Sequence, residues 1–256
     1  MVKELVGLQG KTKLLKQFFL LFLILGVSIS CKKDIEVPKS DQYFKVLFVG
    51  NSFTFYNQGV DYHLQKMLEA DLSSSDSNNY VIQKIAFSSY TLEDHFNDSR
   101  TIDKIKNEGW DIVVLQEQST RPINNPDLFL EYASKLDSII KVIKSRTALF
   151  MTWAPKASPG DINTIAASYQ SVGSKINAQL VPVGLVWNDF QKAHPEINLY
   201  FTDNKHPSLY GTYLAACVFY TYLFKKNIII NDYLPTGMTS SDAIQIRTGV
   251  YNYFQN

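Results

Sequence analysis

The 256 residues are 45% hydrophobic, 13% aromatic and 19% charged, a composition that excludes collagen-like, low-complexity, coiled-coil and disordered chains. Four of the 25 basic side chains and one of the 24 acidic ones fall in residues 1–30, so the remainder carries 21 against 23, a net −2. That balance gives no electrostatic footprint for nucleic acid, and the length suits one domain with its own core.

The chain opens with an address. Lys3, Lys11, Lys13 and Lys16 precede the apolar run Phe18–Leu25, and Gly26, Ser28 and Ser30 lead to Cys31. A basic stretch, a short apolar one and small residues before a cleavage site describe a secretory signal peptide. The uncharged stretch from Gln17 to Cys31 is shorter than the roughly 20 residues of a spanning helix; an uncleaved anchor is the bland alternative. Ser28-Ile29-Ser30-Cys31 resembles a bacterial lipoprotein cleavage box, with Ser28 where leucine is commoner. The resemblance implies an exported chain in which residues 1–30 are removed, Cys31 is lipidated and anchors to a membrane of the cell envelope, and 31–42 form a tether. Cys217 lies in an apolar helical pattern and is expected as a buried thiol.

Beyond the tether, strands and helices alternate. Phe44–Val49 is a short apolar run ending at Gly50, the mark of a buried strand. A helix is predicted over Val60–Asp71, a polar loop over 73–79, a strand over Tyr80–Ala86 and a weaker helix over Leu92–Asn107, stopped by Gly109. Trp110–Leu115 is the clearest strand, β-branched between polar signals. Pro126–Arg146 carries an amphipathic stripe of Leu128, Leu130, Tyr132, Leu136, Ile139, Ile140 and Ile143. Ala148–Trp153 predicts a fourth strand, Asp161–Leu180 a helix, and Leu180–Val183 a fifth strand shortened by Pro182. Leu209–Phe224 and Ser240–Phe254 close the chain as helices. No repeat or linker divides residues 43–256, so they form one α/β domain with a parallel sheet.

Ligands of such sheets sit beyond the carboxyl ends of the strands. After the first strand comes Gly50-Asn51-Ser52, which taken alone reads as an ordinary turn or helix cap. It is not the Gly-x-Ser-x-Gly elbow, because Thr54 replaces the last glycine. Thr202-Asp203-Asn204-Lys205-His206-Pro207 precedes the Leu209 helix. An aspartate three positions before a histidine can fix the imidazole tautomer and stabilise the imidazolium. Together the two segments supply nucleophile, base and orienting acid. Two further strand ends, Phe87-Ser88-Ser89 and Gln116-Glu117-Gln118, offer donors for an oxyanion. His63, His95 and His194 read as packing or surface residues.

These four segments, in this order, resemble the sequence blocks of the SGNH (GDSL-type) hydrolases. Gly50-Asn51-Ser52 is similar to their first block, with Asn51 where aspartate is usual, and Asp203-Asn204-Lys205-His206 to their last. Ser89 stands where the second block has glycine. The third block has Gln116-Glu117-Gln118 in place of asparagine, as in a branch that resembles carbohydrate acetylesterases. The resemblance implies a three-layer α/β/α sandwich on a five-stranded parallel sheet. It also implies Ser52 as nucleophile, His206 as base and Asp203 as its partner. The oxyanion donors would be the N–H groups of Ser52 and Ser89 and the Gln118 amide, with Gln116 the alternative. It implies a serine esterase that needs no metal or cofactor and acts on an acylated glycan, Trp153 stacking on the sugar. A lipase-like esterase and a non-catalytic glycan-binding lipoprotein are the alternatives.

Overall fold

The computed structural model describes residues 43–71 and 79–255; the signal peptide, Cys31 and the tether lie outside the described residues. Five strands, β1 (Phe44–Gly50), β2 (Tyr80–Ala86), β3 (Ile112–Leu115), β4 (Arg146–Phe150) and β5 (Gln179–Val181), form one sheet in the order β2-β1-β3-β4-β5. Every pairing is parallel. The chain leaves β1 toward one edge and later returns to build toward the other, so the strand order reverses beside β1. That reversal opens a crevice at the carboxyl ends of β1 and β3.

Successive side chains of β1 point to opposite faces, and both faces are covered. Val46 and Phe48 pack with α2 (Val60–Glu69), α8 (Val183–Ala193), α9 (Leu209–Tyr222) and α10 (Ser240–Tyr253). Leu47 and Val49 pack with α3 (Leu92–Asn97), α4 (Ser99–Asn107), α6 (Pro126–Val142) and α7 (Asp161–Ile176). Two short helices, α1 (Ser52–Phe55) and α5 (Arg121–Asn124), follow β1 and β3 directly. Burial on both faces is why the strands read as unbroken apolar runs. The three-layer α/β/α architecture is the one expected.

Several boundaries differ from the sequence reading, each for a local reason. The helix over Leu92–Asn107 is broken at Asp98, whose extended backbone and side-chain bond to Arg100 N (2.9 Å) start α4 afresh. The helix expected to reach Arg146 stops at Val142. Lys144 turns left-handed (φ 61°) and Arg146 opens β4. Asn177, at φ 52°, ends α7 in the same way. β4 stops at Phe150, and Met151–Ala154 continue as buried irregular backbone. Helix α8 is not among the elements predicted from the sequence. Val183, Val186, Trp187 and Phe190 nevertheless mark its buried face at helical spacing. Cys217 is fully buried in α9, and burial pushes its thiol far above the ordinary range.

Candidate active site

β1 delivers Gly50, Asn51 and Ser52 to the crevice, and the turn is held from four sides. Gln116 Oε1 accepts from Asn51 N (2.9 Å) and Thr54 Oγ1 (3.0 Å). Asn51 Oδ1 caps α1 by accepting from Phe53 N (3.2 Å), while its Nδ2 donates to Tyr90 O (2.9 Å). An aspartate at position 51 could make only the first of these, so asparagine adds a tie to the loop after β2. His95 Nε2 lies 2.8 Å from Gly50 O and its Nδ1 2.9 Å from Thr101 Oγ1. It therefore donates to the one and accepts from the other, and burial lowers its pKa.

Gly50 is required here by space rather than by φ. A Cβ on it would lie 2.5 Å from Thr54 Oγ1 and 2.6 Å from Gln116 Oε1, the atoms that fix the turn. Gly50→Ala is expected to destabilise the chain by about 1–3 kcal/mol; thermal unfolding measures it, and an unchanged Tm would contradict this packing.

The second segment is a tight loop closed by the antiparallel bridge Tyr200–Pro207. Phe201 N donates to His206 O (2.8 Å) and Asn204, left-handed at φ 58°, donates to Phe201 O (3.0 Å). Asp203 Oδ1 accepts from Lys205 N (3.0 Å) and His206 N (2.9 Å). Its Oδ2 lies 2.5 Å from His206 Nδ1, and His206 Nε2 lies 2.9 Å from Ser52 Oγ. With Nδ1–H donated to Asp203, Nε2 is left as acceptor for the serine proton. Burial raises the Asp203 pKa, but the hydrogen bonds from the His206 side chain and from the backbone of His206 and Lys205 outweigh it and hold the carboxyl at about 2. Asn57 Nδ2, donating to Pro207 O (3.0 Å) and Thr212 Oγ1 (2.9 Å), locks the serine segment to the histidine loop across 150 residues of sequence.

Two aromatic residues that the sequence reading missed set the imidazole plane. Tyr56 stacks on His206 at 4.4 Å and 8°, and Phe53 meets it edge-on at 5.5 Å. Neither residue carried a signal in the sequence beyond lying next to Ser52.

The oxyanion candidates stand at one level of the sheet. Gly50 pairs with Ala86 and Val49 with Leu115, so Ser52, Ser89 and Gln118 each lie two or three residues past that level on adjacent strands. Ser89 takes the left-handed conformation, φ 63°, which glycine adopts without strain. Serine therefore keeps the backbone shape. Among the described residues, the N–H groups of Ser52 and Ser89 have no hydrogen-bond acceptor. Gln118 turns its Oε1 away, accepting from Thr120 N (2.9 Å), Thr120 Oγ1 (2.9 Å) and Arg121 N (3.2 Å), and its NH₂ has no partner among the described residues. Gln116 is corrected by the structure. It is fully buried, its Oε1 bound as above and its Nε2 donating to Glu117 O (2.5 Å). It supports the turn rather than facing the crevice.

Trp153 is corrected as well. Its ring is 1% exposed, covered on one face by Phe53 (4.6 Å, 1°) and on the other by Trp187 (3.9 Å, 7°). No sugar can stack there. Its Nε1 donates to Lys205 O (3.1 Å), and Lys156 N to Asn204 O (3.0 Å), so the segment after β4 braces the histidine loop. Phe201 reaches solvent near the site, 46% exposed and edge-on to Tyr56 at 6.0 Å.

Comparison with solved structures agrees with this architecture. A DUF4886 family protein from Bacteroides uniformis superposes with a TM-score of 0.65 at 16% identity, covering 84% of this chain and 95% of that one. A protein from Slackia heliotrinireducens, provisionally assigned as an SGNH hydrolase, gives 0.57 at 23% identity, covering 71% and 100%. An acetyl xylan esterase gives 0.56 at 16% identity, covering 70% and 98%. No family model and no curated protein sequence matches. The chain has the fold of the SGNH hydrolases.

Proposed function

We propose that this chain is a serine ester hydrolase that removes O-acetyl groups from glycans through an acyl-enzyme on Ser52. The observation that carries the reading is the unbroken hydrogen-bond line Ser52 Oγ–His206–Asp203 at the mouth of the crevice. Ser52 Oγ attacks the ester carbonyl carbon as its proton passes to His206 Nε2, and the tetrahedral oxyanion forms against the free donors of Ser52, Ser89 and Gln118. The C–O bond to the sugar then breaks, and the imidazolium gives its proton to the departing alcohol. Water, deprotonated by the same nitrogen, attacks the acetyl-serine. Acetate leaves and Ser52 regains its proton. Asp203, ionised throughout, stabilises the imidazolium at both stages.

Three features support acetyl groups on sugars as the substrate. A protein of like fold is an acetyl xylan esterase. Phe201 is a half-exposed apolar ring beside Tyr56, and the export signature expected of residues 1–31 would put the domain where polysaccharides occur. The test is a p-nitrophenyl ester series beside acetate release from acetylated xylan, pectin and sialic acid. Activity is expected to be highest on the two-carbon acyl group and to extend to at least one acetylated glycan. Activity confined to long acyl chains would contradict it and favour a lipase.

A further inference from the structure

Glu117, between Gln116 and Gln118 at the end of β3, is a fully buried carboxyl that the chemistry above does not use. Its Oε1 accepts from Gln118 N (2.6 Å) and from Leu92 N (3.2 Å). Gln118 carries one oxyanion donor, and Leu92 opens α3 three residues after Ser89, which carries another. A single oxygen thus ties together the two loops that complete the oxyanion hole. The rest of the group is poorly served. Glu117 Oε2 and Arg121 Nη1 are buried without hydrogen-bond partners among the described residues, and Arg121 is engaged through Nη2 with Glu93 (3.0 Å).

The groups facing the carboxyl come from three helices: Asp94 of α3, Arg121 of α5 and Tyr169 of α7, whose hydroxyl accepts from Glu117 N (3.3 Å). Burial, with Asp94 adding to it, pushes the Glu117 pKa up to about 7 against the bonds from Gln118 and Leu92 and the charge of Arg121. A buried carboxyl short of partners is costly, and an apolar side chain here would leave the N–H groups of Gln118 and Leu92 without an acceptor. The carboxyl must therefore supply something that packing alone does not.

We infer that Glu117 is a positioning residue for the oxyanion hole, its Oε1 fixing Gln118 and the Ser89–Leu92 segment relative to each other. The inference rests on the esterase reading of the site. The role needs an acceptor oxygen rather than a charge, so a glutamine side chain can fill it.

Glu117→Leu leaves two buried N–H groups without an acceptor. Its kcat on p-nitrophenyl acetate is expected to fall about 10- to 100-fold, with KM within about twofold, because ground-state binding is untouched. Glu117→Gln is expected to stay within about threefold of the original kcat, as the acceptor is kept. Amide hydrogen exchange gives a readout separate from activity. Gln118 and Leu92 are expected to exchange at least about tenfold faster in Glu117→Leu and unchanged in Glu117→Gln. Should Glu117→Leu not fold, Glu117→Asp, whose shorter stem withdraws the oxygen, is expected to show the same loss. Unaltered kcat and exchange in a folded Leu or Asp variant would overturn the inference, as would a Gln variant as impaired as these. If the original chain hydrolyses no ester, the functional reading fails while exchange still decides whether the brace exists.

Discussion

Ser52→Ala is expected to lower kcat on p-nitrophenyl acetate by at least about 10⁴-fold, with a Tm close to that of the original chain. On the proposed reading this hydroxyl is the attacking group. Ser52 is 8% exposed at the head of α1, and its Oγ lies 2.9 Å from His206 Nε2. Without it, the base has only water to activate, and the oxyanion donors can still contribute the residual rate of a hole with no nucleophile. The turn itself does not depend on the hydroxyl. Asn51, Gln116 and His95 hold it through other atoms, so the loss isolates chemistry from folding. A variant that keeps more than about a hundredth of the rate would mean that acyl transfer bypasses this side chain.

Asp203→Asn is expected to cost about 10²- to 10⁴-fold in kcat, the upper end being the cost in a fully buried triad. Asp203 Oδ1 holds the loop through Lys205 N and His206 N, and an asparagine oxygen keeps both bonds. The change falls on the contact to His206 Nδ1. An NH₂ group there needs an acceptor, so the imidazole must carry its proton on Nε2, where it cannot take one from Ser52. Because the Asp203 carboxyl is held at about 2, it is ionised at every pH of a practical assay, and a deficit is expected at each pH from 5 to 8. Kinetics of the two chains between pH 5 and 8 check this. Equal kcat for the two chains throughout that range would contradict a role for the Asp203 carboxylate.

The sheet, most of its helices and the meeting of Ser52 with Asp203 and His206 were legible because each rests on a local pattern: apolar runs for strands, and short polar motifs after the first strand and before the Leu209 helix. What lay beyond local pattern was which of several similar side chains would face the crevice. Gln116 and Gln118 are both amides two residues apart. The choice between them is made by the approach of Gln116 to Gly50, which only a residue without Cβ allows. Trp153 looked available at a strand end, but its two faces are covered by Phe53 and Trp187, residues far from it in sequence. Nothing local marks Tyr56, because its partner His206 is 150 positions away. Helix α8 is a different case. Its apolar spacing was present, and Pro182 drew attention to the strand that ends there instead of the helix that begins.

The central claim, that Ser52 Oγ is an activated nucleophile, is tested most directly by a fluorophosphonate probe followed by peptide mass spectrometry. The serine oxygen displaces fluoride at phosphorus to give a stable adduct. The account requires one adduct per chain, on Ser52, appearing in step with loss of esterase activity and absent from Ser52→Ala. An unlabelled Ser52, or equal labelling of the alanine variant, would contradict it.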